Sequence, residues 1–217
     1  MTLVAPRPSG SRLRSGLSPL GIGGERDGVV FLPERLGDAR VPLLVMLHGA
    51  GGTGRRVSAR VMPQAEAAGC AVLAPDSRAT SWDAVTGGFG PDVRFLGRAL
   101  AETFARAAID RSRIALGGFS DGATYALALG RANGDVFGAL LAFSPGFLID
   151  VRRTALPRCF VAHGRQDDIL PIDRCSRVIV PALRRAGYDV RYREFDGPHA
   201  VPPSIAREAM DWFVGSR

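Results

Sequence analysis

Long apolar runs recur along this chain and end at glycine, proline or polar residues. The run VPLLVMLHG at 41–49 is almost continuously apolar, and GCAVLAPD at 69–76 repeats the pattern. A strand that is buried on both faces produces such a run, because neither face meets water. The pattern therefore predicts buried strands at 41–49, 69–76, 113–119, 138–145 and 158–164.

Between these runs, apolar residues recur with helical spacing. In segment 92–108, Val93, Leu96, Leu100 and Phe104 are three or four positions apart, which places them on one face of a helix. Further helices are predicted at 123–133, 173–186 and 203–214.

Two segments differ from the buried runs. GVVFL at 28–32 is typical of an antiparallel first strand, and VRYREF at 190–195 alternates as a strand nearer the sheet edge does. Alternating strands and helices predict an α/β fold with a mostly parallel sheet and helices on both faces. In such sheets functional residues collect in loops at the carboxyl ends of the strands. These loops hold all three histidines of the chain, which are His48, His163 and His199.

The length of 217 residues suits one domain, which we expect to span 21–217. Residues 1–20 are basic and rich in Ser, Pro and Gly, so they are predicted to be a poorly ordered lead-in. They lack the apolar centre of a secretory signal, and no apolar run approaches the roughly 20 residues that cross a bilayer. The expected location is cytoplasmic, without an integral membrane segment.

The net charge of +7 comes from 28 basic residues, all of them arginine. They are scattered, with no basic run interleaved with stacking aromatics, so the pattern argues against nucleic-acid binding. Cys70, Cys159 and Cys175 lack metal-ligand spacing. Cys70 and Cys159 lie in apolar runs and are expected to be buried, whereas a disulfide at Cys175 is left open.

The segment GGFSDGA at 117–123 places Ser120 among small residues. One interpretation is a helix N-cap, which Ser and Asp both favour. The other is a nucleophile elbow, a strained strand-to-helix turn that exposes the serine hydroxyl. The motif alone arises easily by chance in a chain with 27 glycines, but here it follows a predicted buried strand and opens a predicted helix. Gly118 and Gly122 are then required because side chains would clash across the turn.

A serine nucleophile needs a histidine base, and the base needs a carboxylate that fixes its tautomer. When the serine sits on an elbow, the chain order is Ser, then Asp or Glu, then His. The loops after the strands supply Ser120, Asp167 and His199 in this order.

Four motifs, HGAGG, GFSDGA, the HGRQDDILP stretch and GPHAVP, resemble serine α/β-hydrolases of the phospholipase/carboxylesterase group. This group includes enzymes similar to acyl-protein thioesterases and to polyhydroxybutyrate depolymerases. The resemblance covers about residues 40–214. It implies an α/β-hydrolase fold, with Ser120 as nucleophile, His199 as general base and then acid, and Asp167 as the orienting carboxylate.

The acid position departs from the group's pattern, because Asp168 stands where relatives carry proline. Counting from His163 places the acid at Asp167, with Asp168, Asp173 and Asp150 as alternatives. His163 and His48 are interpreted as structural residues.

An oxyanion hole needs two backbone N–H donors. The residue after the nucleophile, Asp121, supplies one at a helix N-terminus. The resemblance assigns the other to Ala50 in HGAGG, with Gly51 as the alternative. HGAGG could also be a phosphate-binding loop, but it lacks the GK[ST] of a P-loop and the spacing of a dinucleotide site.

No insertion is long enough for a cap domain, which predicts an open, shallow site. Trp82, Phe89, Phe147 and Leu148 are candidate pocket residues, although Trp82 could equally pack beneath its loop. These features favour short-to-medium acyl esters as small-molecule substrates, with thioesters and lysophospholipids as alternatives. No cofactor and no metal are expected.

Three other functions share the fold. A serine peptidase would use the same triad, and so would a cofactor-free haloperoxidase or a lactone-opening enzyme. A non-catalytic binding module would tend to lose a triad residue, and this chain retains all three. The oligomeric state is left open.

Overall fold

The computed structural model describes residues 13–34 and 39–215. The strands in these ranges are β1 Gly16–Pro19, β2 Gly28–Leu32, β3 Val41–Leu47, β4 Ala71–Pro75, β5 Ile109–Phe119, β6 Ala139–Phe143, β7 Arg158–Gly164 and β8 Val190–Phe195. The helices are α1 Gly54–Ser58, α2 Met62–Ala67, α3 Asp83–Thr86, α4 Pro91–Arg106, α5 Asp121–Ala132, α6 Ser176–Arg185 and α7 Pro203–Gly215.

The described strands form one sheet in the order β1-β2-β4-β3-β5-β6-β7-β8. Strands β1 and β2 pair antiparallel with each other, and β2 pairs antiparallel with β4. All remaining pairs are parallel. The predicted mostly parallel sheet and the predicted antiparallel strand at 28–32 are confirmed.

Helices cover both faces of the sheet because the central strands are apolar on both sides. Leu43, Val45 and Leu47 of β3 face one core, which α4, α5 and α6 complete. Leu44 and Met46 face the opposite core, which α1, α2 and α7 complete. The whole of β3 is buried, as its continuous apolar sequence predicts.

The first strand of the sheet was not predicted. Part of the expected lead-in, Gly16–Pro19, forms β1, and Leu20 is buried. Residues 1–12 of that lead-in lie outside the described residues. The GLSP sequence of β1 has neither apolar alternation nor β-branched residues, so its strand conformation comes from pairing with β2.

The connection between β6 and β7 spans 144–157 and contains no helix or strand. The described chain therefore carries no cap domain over the carboxyl edge of the sheet, as expected. All three cysteines are buried free thiols, which answers the question left open for Cys175. Among the described helices, none combines the length and apolar character needed to cross a bilayer.

Candidate active site

Ser120 lies between the last residue of β5 and the first residue of α5. Its backbone has φ 58° and ψ −124°, a left-handed conformation that costs a non-glycine residue about 1–3 kcal/mol. A Cβ atom on Gly118 would collide with the main chain of Gly122, and one on Gly122 would collide with the main chain of Leu47. The expectation that both glycines are required is confirmed. The turn has the geometry of a nucleophile elbow and presents Ser120 at the carboxyl edge of the sheet.

His199 and Asp167 meet at the same edge, in the loops that follow β8 and β7. His199 Nδ1 donates to Asp167 Oδ2 across 2.6 Å. The aspartate side chain is fully buried and the histidine side chain is 14% exposed. Because a carboxylate can only accept, this bond places the ring proton on Nδ1 and leaves Nε2 free to accept a proton.

Asp167 is held by its own loop. Its Oδ1 accepts the backbone N–H groups of Ile169 at 3.1 Å and Leu170 at 2.8 Å. Burial alone would raise the pKa of Asp167, but the Leu170 amide and the hydrogen bond and charge of His199 together hold that pKa below its ordinary value. The carboxylate is therefore kept ionised, as an orienting group for His199 must be.

His163 contacts the same carboxylate oxygen as His199 does, a contact that sequence reasoning missed. Its Nε2 lies 3.1 Å from Asp167 Oδ2 and 2.8 Å from the carbonyl oxygen of Leu170. Because a carbonyl only accepts, the proton is on Nε2, and Nδ1 accepts from the Ser176 hydroxyl at 2.7 Å. Burial lowers the pKa of His163, which favours this neutral form. The expected structural role of His163 thus includes positioning Asp167.

The alternative acids do not approach His199 among the described contacts. Asp168, Asp173 and Asp150 are all exposed, and Asp173 pairs with Arg177 at 2.7 Å.

Two contacts connect His199 and the HGAGG loop to the turn at Ser120. The ring of Phe119, the residue before Ser120, packs against the His199 ring with 4.5 Å between centroids. Gly49 also approaches the turn so closely that a Cβ atom there would lie 3.1 Å from Ser120 Cβ. The structure thus brings the loops of Ser120, Asp167, His199 and Gly49 together.

Backbone hydrogen bonding distinguishes between the two candidate oxyanion donors of the HGAGG loop. The Gly51 N–H donates to the Thr80 carbonyl at 2.7 Å, so it is already engaged. The N–H groups of Ala50 and Asp121 have no acceptor among the described residues. Ala50 is exposed and Asp121 opens α5, which favours this pair over one that includes Gly51.

Hydrogen bonds from His48 and Arg26 hold the HGAGG loop in place. His48 Nδ1 donates to the Gly49 carbonyl at 2.7 Å, and His48 Nε2 accepts the Ser77 N–H at 3.0 Å. Burial lowers the pKa of His48, consistent with a neutral ring. Arg26, from the β1–β2 connection, donates to the Gly52 carbonyl at 3.1 Å and to the Ser77 carbonyl at 2.5 Å. His48 therefore organises the loop, as expected. Arg26 also stabilises it, which the sequence did not indicate.

The Asp121 side chain is also fixed by the loop after β4. Its Oδ2 accepts a hydrogen bond from the Ser81 hydroxyl at 2.5 Å. This contact ties the start of α5 to residues 77–82 and was not predicted.

Trp82 does not line the site, which corrects its assignment as a pocket residue. Its side chain is completely buried, its Nε1–H donates to the His48 carbonyl at 2.8 Å, and its ring stacks on Tyr125 at 5.2 Å. The alternative, packing beneath the loop, is the observed one. A tryptophan in a core satisfies its N–H group in this way.

The other pocket candidates differ in exposure. Phe89 is 40% exposed and packs edge-on against Tyr125, and Phe147 is 48% exposed. Leu148 is half-buried and packs against the core on the α5 side of the sheet. Phe89 and Phe147 therefore present apolar surface to solvent, whereas Leu148 is largely used in packing.

Comparison with solved structures shows the α/β-hydrolase fold. The chain is similar to esterase PE8, with a TM-score of 0.70, 22% identity, and coverage of 87% of this chain and 98% of that one. It is also similar to the serine hydrolase FphF of Staphylococcus aureus, with a TM-score of 0.76, 13% identity, and coverage of 94% and 100%. A thermostable esterase gives a TM-score of 0.67 at 26% identity, over 86% of this chain and 58% of that one.

No protein-family description and no curated protein matches this chain. The four motifs indicate a resemblance to serine α/β-hydrolases, and this resemblance is confirmed at the level of the fold. The three similar structures are esterases and a serine hydrolase.

Proposed function

We propose that the protein is a serine esterase that hydrolyses carboxylic esters with short-to-medium acyl groups through an acyl-serine intermediate. The observation that carries the proposal is the His199–Asp167 hydrogen bond of 2.6 Å, made beside a serine whose backbone is held at φ 58°. The similarity to esterases and serine hydrolases supports ester hydrolysis as the general activity. The substrate is a small molecule.

The first half of the reaction acylates the enzyme. Ser120 Oγ attacks the ester carbonyl while its proton passes to His199 Nε2, and Asp167 stabilises the imidazolium. The N–H groups of Ala50 and Asp121 donate to the oxyanion, and losing one such donor typically costs ~10²–10³ in rate. His199 then returns the proton to the departing alcohol, which leaves an ester between the acyl group and Ser120.

Deacylation repeats these steps with water. His199 removes a proton from water, the hydroxide attacks the acyl-serine, and the second tetrahedral intermediate collapses to a carboxylic acid and free Ser120. Each step uses only side chains and backbone groups of the loops that meet at this edge of the sheet.

The surroundings of Asp167 support an apolar acyl group. Ile169, two residues after Asp167, is 66% exposed, and Phe147 is 48% exposed. Leu170 packs near Gly146, the neighbour of Phe147, so the two loops lie side by side. Exposed apolar side chains on an uncapped edge favour short or medium acyl chains that leave one end in solvent.

Hydrolysis of p-nitrophenyl esters of increasing chain length tests the proposal, with Ser120→Ala as the variant. The matched control is Ser144→Ala, because Ser144 is the other described non-glycine residue in left-handed conformation, and its buried Oγ has no described partner. We expect at least ~10³-fold lower kcat in Ser120→Ala and wild-type rates in Ser144→Ala. Equal turnover in wild type and Ser120→Ala would exclude Ser120 as the nucleophile.

A further inference from the structure

A cavity of about 190 Å³ lies beside the proposed oxyanion loop. It is bounded by residues 48–53, by α1 and by the Phe119 ring, and the side chains of Arg56 and Arg60 complete its wall. Ala50, the proposed oxyanion donor, is one of its lining residues. A group bound in this cavity would therefore sit next to the reacting carbonyl of an ester.

The charged side chains of this wall are all cationic. Arg56 and Arg60 are exposed, neither forms an ion pair with a described residue, and no described carboxylate lines the cavity. The Arg60 guanidinium lies over the Phe119 ring, 4.8 Å from its centroid, and that ring packs against His199. Arg60 is thereby placed at the site without an anion to hold it.

Some other exposed arginines, in contrast, form ion pairs. On the β8 edge, Arg165 and Arg177 pair with Glu194, while Arg191 and Arg193 pair with Glu208. Two guanidinium groups with no described acidic partner, facing one cavity, form a site that a carboxylate would complete with charge-assisted hydrogen bonds.

We propose that Arg56 and Arg60 bind a negatively charged substituent of the substrate, so that the site prefers esters carrying a carboxylate over neutral esters of the same size. This inference rests on the proposed esterase function and names the substrate class of that site. Phe147 and Ile169 then contact the apolar part of the same substrate, beside the loop of Asp167.

The test compares kcat/KM for matched charged and neutral esters. Mono-p-nitrophenyl adipate against p-nitrophenyl hexanoate places the carboxylate in the acyl half. In the alcohol half, 4-acetoxybenzoate is compared with its methyl ester. We expect the charged ester to be preferred in at least one pair, and 1 M NaCl to reduce that preference, since the Debye length falls from about 10 Å at 0.1 M to about 3 Å.

Variants assign the preference to the two arginines. An exposed ion pair changes binding by up to about 5-fold, so Arg56→Gln and Arg60→Gln should each lower the charged-to-neutral ratio about 2- to 5-fold. Arg60→Lys should retain most of it. Arg55→Gln is the control, since Arg55 is an exposed arginine on the same helix that does not line the cavity.

The outcomes separate this inference from the esterase proposal. Two results would overturn the inference alone, provided that hydrolysis of the neutral esters depends on Ser120. One is the absence of any preference for the charged esters, and the other is a preference that both Gln variants retain. Failure of the wild type to hydrolyse any of the four esters would overturn both.

Discussion

At the scale of single residues, Asp167 has the central position in the proposed triad. Two backbone N–H groups, His163 and His199 all face its two oxygens. Asp167→Asn keeps the size of the side chain but replaces an acceptor by a donor. The His199 proton would then move from Nδ1 to Nε2, which leaves Nε2 unable to act as a base. We expect kcat to fall about 10²–10⁴-fold, measured on p-nitrophenyl butyrate, with KM changed far less. Asp168→Asn, on an exposed neighbour, is the control.

The same residue should contribute to the pH dependence of stability. The fold lowers the pKa of Asp167 below its ordinary 3.8, so its contribution is complete above that value and is lost as the pH falls through the lower folded pKa. The free energy of unfolding of the wild type, minus that of Asp167→Asn, should therefore shrink as urea titrations move from pH 7 toward pH 2. A difference that stays constant over this range would contradict the assignment.

Sequence reasoning located the elbow but could not locate its supports. Ser120 can be recognised from the sequence because the glycines, the preceding strand and the following helix all lie next to it in the chain. Arg26 acts through partners that only the fold brings near, such as the Gly52 carbonyl 26 positions away. Only four positions separate His163 from Asp167, but their contact depends on the turn that follows β7. Trp82 was ambiguous for the same reason, since its burial depends on His48 and Tyr125, both distant in sequence.

At the scale of secondary structure, the β7–β8 edge is joined to α6 by an ion-pair network. Glu194 of β8 accepts from Arg177 of α6 at 2.7 Å and from Arg165, just after β7, at 3.2 Å. The hydrogen bond from Arg177, with help from Arg165 and Tyr192, lowers the pKa of Glu194 to about 2. Because β7 ends just before the loop of Asp167, this network steadies the element that carries the proposed catalytic acid.

Replacing Glu194 by Gln should destabilise this edge in a pH-dependent way. The folded pKa of about 2 lies below the ordinary 4.5, so the contribution is complete above pH 4.5 and disappears as the pH falls through about 2. Since the network is largely exposed, we expect at most about 1 kcal/mol at pH 7. Chemical denaturation of Glu194→Gln and wild type at pH 7 and pH 2.5 measures it. An equal loss at both pH values would show a packing effect instead of an ionic one.

Regular elements were predicted well where one pattern dominated. The buried strands and α4 follow from apolar runs and helical spacing, and their observed bounds differ from the predicted ones by a few residues at most, except that β5 begins at Ile109 instead of 113. The short helices α1, α2 and α3 were missed because they span about one turn each, too little for a periodic pattern. Their positions depend on packing against the sheet.

At the scale of the whole molecule, the fold is shared with solved structures at 13–26% identity. The parallel sheet brings the ends of β5, β7 and the loop after β8 to one edge, which is why residues 47 and 32 positions apart in sequence can form one site. The order of polar loops after apolar strands was readable from the sequence. The cationic wall that Arg56 and Arg60 form beside α1 could not be predicted from the sequence. Exposed arginines are scattered over the chain, and only the fold shows which of them line a cavity without an acidic partner.

Covalent labelling with a fluorophosphonate, followed by mass spectrometry of the digested protein, tests the proposed nucleophile most directly. We predict one label per chain, on the peptide that contains Ser120, with no labelling of Ser120→Ala and full labelling of Ser144→Ala. A label on a different residue, or ester hydrolysis by a protein whose Ser120 never reacts, would contradict the proposed mechanism.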